Sequence, residues 1–110
     1  MTVSISDRGG ARVVTLSGEI DLQTSPQVRE AVLDSLRQGG AVVVDMGGIV
    51  YIDSSGVASL VEGFQVARRQ GAAFILAAVS PAAMRVLQLA RLDKVFTFQP
   101  DVETALAGEF

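Results

Sequence analysis

The residues of this chain best suited to chemistry are Asp53, Ser54, Ser55 and Gly56. An acid, two hydroxyls and a glycine stand directly before a run whose apolar members are Val57, Leu60, Val61 and Phe64. That spacing is i, i+3, i+4, i+7, one face of an α-helix, so the four residues sit at a helix start. Backbone N–H groups there lack intrahelical partners, and the helix dipole favours negative charge. A hydroxyl at such a place can carry a phosphate. Two caps are open at this level. With Ser54 as N-cap, its oxygen takes a first-turn N–H and the Ser55 hydroxyl stays free to face a partner. With Asp53 as cap, both serines lie in the first turn and that distinction is lost. Gly56 costs roughly up to 1 kcal/mol of helix propensity. The cost is easier to explain if a partner's backbone approaches there.

What is missing narrows the chemistry further. The chain has no His and no Cys, and Lys94 is its one lysine. That leaves no Ser-His-Asp triad, no Cys-His pair and no His-type metal site. No Gly-x-Ser-x-Gly elbow is present. Gly9-Gly10 and Gly47-Gly48 lead into no Gly-Lys-Ser/Thr, so no phosphate loop is expected. A net charge of -3 comes from 9 basic and 12 acidic residues, and only Arg68-Arg69 are adjacent basic residues. Nucleic-acid binding needs a clustered basic face and is not expected. No apolar run approaches the roughly 18 residues of a membrane span, and the start, with Asp7 and Arg8, carries no signal core. The expectation is a cytoplasmic, non-enzymatic binding protein without metal or cofactor.

The elements that must position the serines follow from pattern. The 110 residues suit one domain, residues 1–110, with an aliphatic core, since 49% of the chain is hydrophobic and Trp is absent. Val3 to Ser6 alternates like a strand, Arg8-Gly9-Gly10 turns, and Arg12 to Leu16 resumes a strand, giving a hairpin that Ser17-Gly18 breaks. A helix then runs to about Gln38, opened by Thr24 with Gln27 as a capping box, or by Ser25 as cap with Pro26 following. Its buried face is Val28, Ala31, Val32 and Leu36, and Gly39-Gly40 ends it. Ala41 to Asp45 is a central strand, Met46 to Ile52 a loop, and Ser54 to about Gln70 the second helix, stopping at Gly71. Ala72 to Val79 is a buried strand. Ser80-Pro81 opens a third helix with Ala83, Val86, Leu87 and Ala90 inward, Val95 to Phe98 is a last strand, and Pro100-Asp101 opens a helix to about Ala107. Met84, Phe64, Phe74, Phe96 and Phe98 read as core, and Glu62 and Arg68-Arg69 as solvated helix faces. After the hairpin, strand and helix alternate, which favours parallel neighbours.

Three segments in this order resemble the STAS domain, typified by bacterial anti-sigma factor antagonists. Gly18-Glu19-Ile20-Asp21 is similar to the family's Gly-Glu-Leu-Asp signature. Val50 to Val57 resembles its Asp-Ser-Ser-Gly phosphorylation motif, and Ala78-Val79-Ser80-Pro81, with Val86-Leu87 and Leu92, its third-helix segment. Two positions depart from the pattern: Gly71-Ala72 where Gly-Gly is common, and Arg91 where Gly is common. The resemblance implies an α/β fold, a single mixed β-sheet opened by a hairpin, with about four helices packed mainly on one face. It further implies a phosphoprotein that acts by partner-switching in transcription regulation. The unphosphorylated form binds a serine-kinase anti-sigma factor and frees the sigma factor. Phosphorylation of the second serine of the motif, Ser55, ends binding, and a phosphatase resets it. Asp21, Asp53, Ser54 and Gly56 are then the expected neighbours at the partner and kinase interface. The alternative implied is a subunit of a phospholipid-trafficking ABC transporter, docking on the permease or ATPase.

Overall fold

Valine-dense segments pair edge to edge, and the capped apolar stripes between them lie down on the sheet. The computed structural model describes residues 1–108. The order is β1 (Thr2–Arg8), β2 (Ala11–Ile20), α1 (Ser25–Arg37), β3 (Val42–Ile52), α2 (Ser54–Gln70), β4 (Phe74–Ala77), α3 (Pro81–Leu89), β5 (Thr97–Gln99) and α4 (Val102–Ala107). One sheet runs β1-β2-β3-β4-β5 in space. The β1–β2 pair is antiparallel and the remaining pairs are parallel. This is the mixed sheet expected from the resemblance.

Side chains alternate across the strands, so the sheet carries two apolar layers. Val14, Leu16, Ile20, Val42, Val44 and Leu76 pack with residues of α1, α2 and α3 into the larger one. Val13, Val43, Ile75 and Ala77 face the other way and are covered by Ala105, Val102 and Leu106 of α4. Three helices therefore share one face and the short α4 closes the other. Phe74 and Phe96 are buried, while Phe64 and Phe98 pack half-buried against the core. No helix of the described residues is long and apolar enough to cross a membrane.

Two strands outrun the sequence expectation, and both extensions lead to the serines. β2 does not break at Ser17-Gly18, and Met46 to Ile52 is strand rather than loop. The two glycine-bearing stretches lie opposite each other, with Ser17 paired to Gly48 and Gly18 to Ile49, between register shifts. A Cβ on Gly48 would stand 2.6 Å from the Ser17 Cβ, and Gly18 has φ +102°. The glycines are thus bulges that let the strands come close, not terminators. Conversely, β4 is shorter than expected. It stops at Ala77, and Ala78 adopts a left-handed φ of 55°.

Candidate functional site

The extended β2–β3 ladder sets the site. Glu19 pairs with Tyr51 and Ile20 with Ile52. The Asp53 N–H then donates to the Ile20 carbonyl at 3.1 Å. The Gly18-Glu19-Ile20-Asp21 and Asp53-Ser54-Ser55-Gly56 segments, separate in sequence, are therefore brought together at one end of the sheet.

Asp53 is the N-cap of α2, in extended backbone at φ -109°, ψ -172°. Its Oδ1 accepts the Ser55 N–H at 2.9 Å, the Gly56 N–H at 3.3 Å and the Ser55 hydroxyl at 2.5 Å. The Ser55 hydroxyl bond, with smaller help from the Gly56 and Ser55 N–H groups, holds the Asp53 carboxyl below its ordinary value against the opposing desolvation. Of the two caps left open by sequence, Asp53 is the one used. Both serines stand in the first turn, Ser54 exposed and Ser55 half-buried. The distinction based on Ser54 as cap falls away. What separates the two is that the half-buried Ser55 hydroxyl is oriented by Asp53.

Gly56 has a different reason from the one its position suggests. It is buried, and a Cβ there would stand 2.6 Å from Ile20 Cγ2 and 2.7 Å from Ile52 Cγ1. The glycine lets the first turn of α2 sit directly on the ends of β2 and β3. The space is closed from inside, not held open for a partner's backbone. Ser59, one turn on, is buried and its hydroxyl reaches the Ser55 carbonyl at 3.2 Å and the Ser25 carbonyl at 3.4 Å. Sequence gave no signal for this link between α1 and α2.

Asp21 organises its own turn. Its Oδ1 accepts the Gln23 and Thr24 N–H groups at 2.9 and 3.0 Å and the Thr24 hydroxyl at 3.2 Å. The Thr24 hydroxyl shares its one proton between that oxygen and the Glu19 carbonyl, which is nearer at 2.9 Å. The capping box expected from Thr24 and Gln27 is absent: Thr24 makes no side-chain cap bond, and Ser25 lies inside the helix, buried. The Thr24 hydroxyl is already committed backward to the β2 end. Glu62 is likewise not a free solvated acid. Arg29 of α1 grips it through two bonds, Nε to Oε1 at 2.7 Å and Nη2 to Oε2 at 2.8 Å. Arg68 lies over the Phe64 ring, 5.8 Å from its centroid.

The STAS domain family model matches residues 2–105. The anti-sigma-F factor antagonist RsfB of Mycobacterium tuberculosis is 28% identical over 109 residues, 98% of this chain and 88% of that protein. A crystal structure of an anti-sigma factor antagonist from Mycobacterium paratuberculosis is 30% identical, with TM-score 0.87, over 96% of this chain and 90% of its own. SpoIIAA has the same fold in its unphosphorylated form, at TM-score 0.80 and 21% identity over 96% of this chain and 93% of its own. Its phosphorylated form matches at TM-score 0.73 and 21% identity, over 96% of each chain. By the match to its family model over almost its whole length, the chain belongs to the STAS domain family.

Proposed function

We propose that the protein is an anti-sigma factor antagonist. Its unmodified form binds a serine-kinase anti-sigma factor and releases the sigma factor, and phosphorylation of Ser55 by that kinase ends the complex. A phosphatase returns the hydroxyl. The observation that carries this reading is the half-buried Ser55 hydroxyl, held by Asp53 in the first turn of α2. The names of the relatives support the general role.

In the transfer, the Ser55 oxygen bonds the terminal phosphorus of ATP, the terminal anhydride bond breaks and ADP leaves. The hydroxyl proton, hydrogen-bonded to Asp53 beforehand, passes to a base of the kinase. The product gains about -1.5 to -2 charges and loses the proton it donated to Asp53. Within the domain, the α2 dipole offsets part of that charge, by roughly 0.3–1 kcal/mol. Across an interface the balance differs. A phosphate desolvated beside the Asp53 carboxylate, facing the nucleotide it came from, is repelled. The switch therefore works at the interface while the domain keeps its fold.

The test is incubation with candidate serine-kinase anti-sigma factors and ATP. Mass spectrometry then maps the phosphate, and affinity is measured before and after. Phosphate on Ser55 with lost affinity is expected, and Ser55→Ala should bind yet resist modification. Co-purification with a transporter ATPase, indifferent to Ser55→Ala, would replace this reading with the transporter subunit.

A further inference from the structure

We propose that β1 is an interaction edge and that its occupant is β1 of a second copy of this chain, paired antiparallel about Ile5 into one continuous sheet across a two-fold axis. This goes beyond the switch at Ser55 and does not rest on it.

The two edges of the sheet differ. β5 offers only three residues, Thr97–Gln99. β1 offers seven, Thr2–Arg8, all exposed except the half-buried Val3. An unpaired strand of that length is a template for another strand, and proteins blunt such edges with Lys, Pro or a bulge. β1 has neither Lys nor Pro, and its register runs from Thr2–Ser17 to Arg8–Ala11 without a shift. Its two charged residues are drawn back onto their own molecule, Arg8 to Glu103 at 2.9 Å and Asp7 toward Arg12 at 3.9 Å.

The hairpin turn decides which backbone groups are free. Gly9 and Gly10 have φ +63° and +88°, the two left-handed residues of a type I′ turn. Such a turn closes on a hydrogen-bonded pair, here Arg8–Ala11. Bonded pairs alternate along an antiparallel ladder. Arg8, Ser6, Ser4 and Thr2 therefore bond to β2, while Val3, Ile5 and Asp7 aim their N–H and C=O groups outward.

Self-complementarity selects the occupant. Ile5 stands opposite Val14 on the face that the core helices cover, yet it is 43% exposed. Reversed about Ile5, the strand Thr-Val-Ser-Ile-Ser-Asp-Arg fits itself. Ile5 meets the partner's Ile5, Ser4 the partner's Ser6, Val3 the partner's Asp7 and Thr2 the partner's Arg8. No like charges are opposed, whereas a register centred on Asp7 sets two carboxylates face to face. Only the register centred on Ile5 pairs the whole strand, with about six main-chain hydrogen bonds and each Ile5 covering the other. β2 then runs opposite ways in the two copies, so the two Ser55 sites lie at opposite ends of the joint sheet.

Sedimentation equilibrium of the unmodified protein, at concentrations up to about 1 mM, tests this. The wild type should pass from monomer to dimer and no further. Ile5→Pro removes an outward N–H, and Ile5→Lys sets two cations face to face, so each should raise the dimer dissociation constant about tenfold or more. Leu89→Ala, on the exposed end of α3, should leave it within about twofold. Thermal melts check that each variant is folded. Hydrogen exchange needs no variant: the Val3, Ile5 and Asp7 amides should gain protection as concentration rises, while Ser4 and Ser6 stay protected throughout. A wild type that stays monomeric, a dimer that both Ile5 variants leave unchanged, open-ended assembly, or exchange at Val3, Ile5 and Asp7 that ignores concentration each overturns the inference. None of these outcomes bears on the kinase switch.

Discussion

A single carboxylate oxygen organises the start of α2. Asp53 Oδ1 takes two backbone N–H groups and the Ser55 hydroxyl, so cap, helix start and candidate phosphoacceptor share one atom. Sequence made the helix start and its acid-hydroxyl chemistry legible. It did not decide which residue caps, because Asp and Ser rank almost equally as caps. What decides is tertiary: the Asp53 N–H is fixed by the Ile20 carbonyl, in extended backbone, leaving both serines helical. Asp53→Ala should therefore lower stability by about 0.5–2 kcal/mol, and Asp53→Asn, which still caps, by less. Urea unfolding with the slope unchanged is the measurement. The pH response follows from the same bonds. The folded-state pKa of Asp53 lies below its unfolded value, and those of Glu62 and Asp101 are lowered too, by Arg29 and by Thr104 respectively. Groups shifted this way stabilise the fold above the unfolded pKa and lose that contribution as pH falls through the folded one. Stability should hold from neutral pH to about 5 and decline below about 4, near the ordinary carboxylate values. Asp53→Asn should shallow that acid limb, and an unchanged limb would count against the bond network.

At the scale of elements, glycine has two uses that sequence alone does not separate. Gly71 ends α2 with φ +69°, as its place after the last apolar turn suggests. Gly18, read as a strand break, and Gly48, read as part of a loop, are instead bulges within strands, and the extra ladder they allow carries Asp53 to Ile20. Composition marks both uses alike; only the partner strand tells them apart. Gly56 and Gly63 are packing glycines. A Cβ on Gly63 would stand 2.6 Å from Val32 Cγ1 and 3.0 Å from Phe74 Cζ. Replacing either by Ala gains up to about 1 kcal/mol of helix propensity. It should cost about 1–3 kcal/mol in overpacking, and backbone shift should make the cost prevail. Denaturant midpoints should fall for both. A raised midpoint for Gly56→Ala would mean that α2 does not rest on Ile20 and Ile52 as described.

Across the whole molecule, charge is distributed unevenly. Residues 68–94 hold Arg68, Arg69, Arg85, Arg91 and Lys94 against Asp93 alone, whereas residues 13–28 and 38–67, which build the serine end, hold acids without bases. The net charge of -3 hides this division. Fold class, helix order and the core aromatics were legible because periodicity and caps encode them locally. The exposure of Leu22, Val50 and Tyr51 was not, because an apolar run does not say which members reach water. The fold itself should not change on modification. Amide shifts in the Ser55-phosphorylated protein should move around residues 19–22 and 50–57 and stay in place across β4, β5 and α4.

The most direct test compares the affinity of one serine-kinase anti-sigma factor for unmodified and Ser55-phosphorylated protein, by titration calorimetry, with both forms checked for the same melting behaviour. A switch at the interface predicts binding weaker by about a hundredfold or more, some 2.8 kcal/mol at about 1.4 per tenfold, between two equally folded proteins. Equal affinity of the two forms, or a loss that appears only because the phosphorylated domain unfolds, would contradict it.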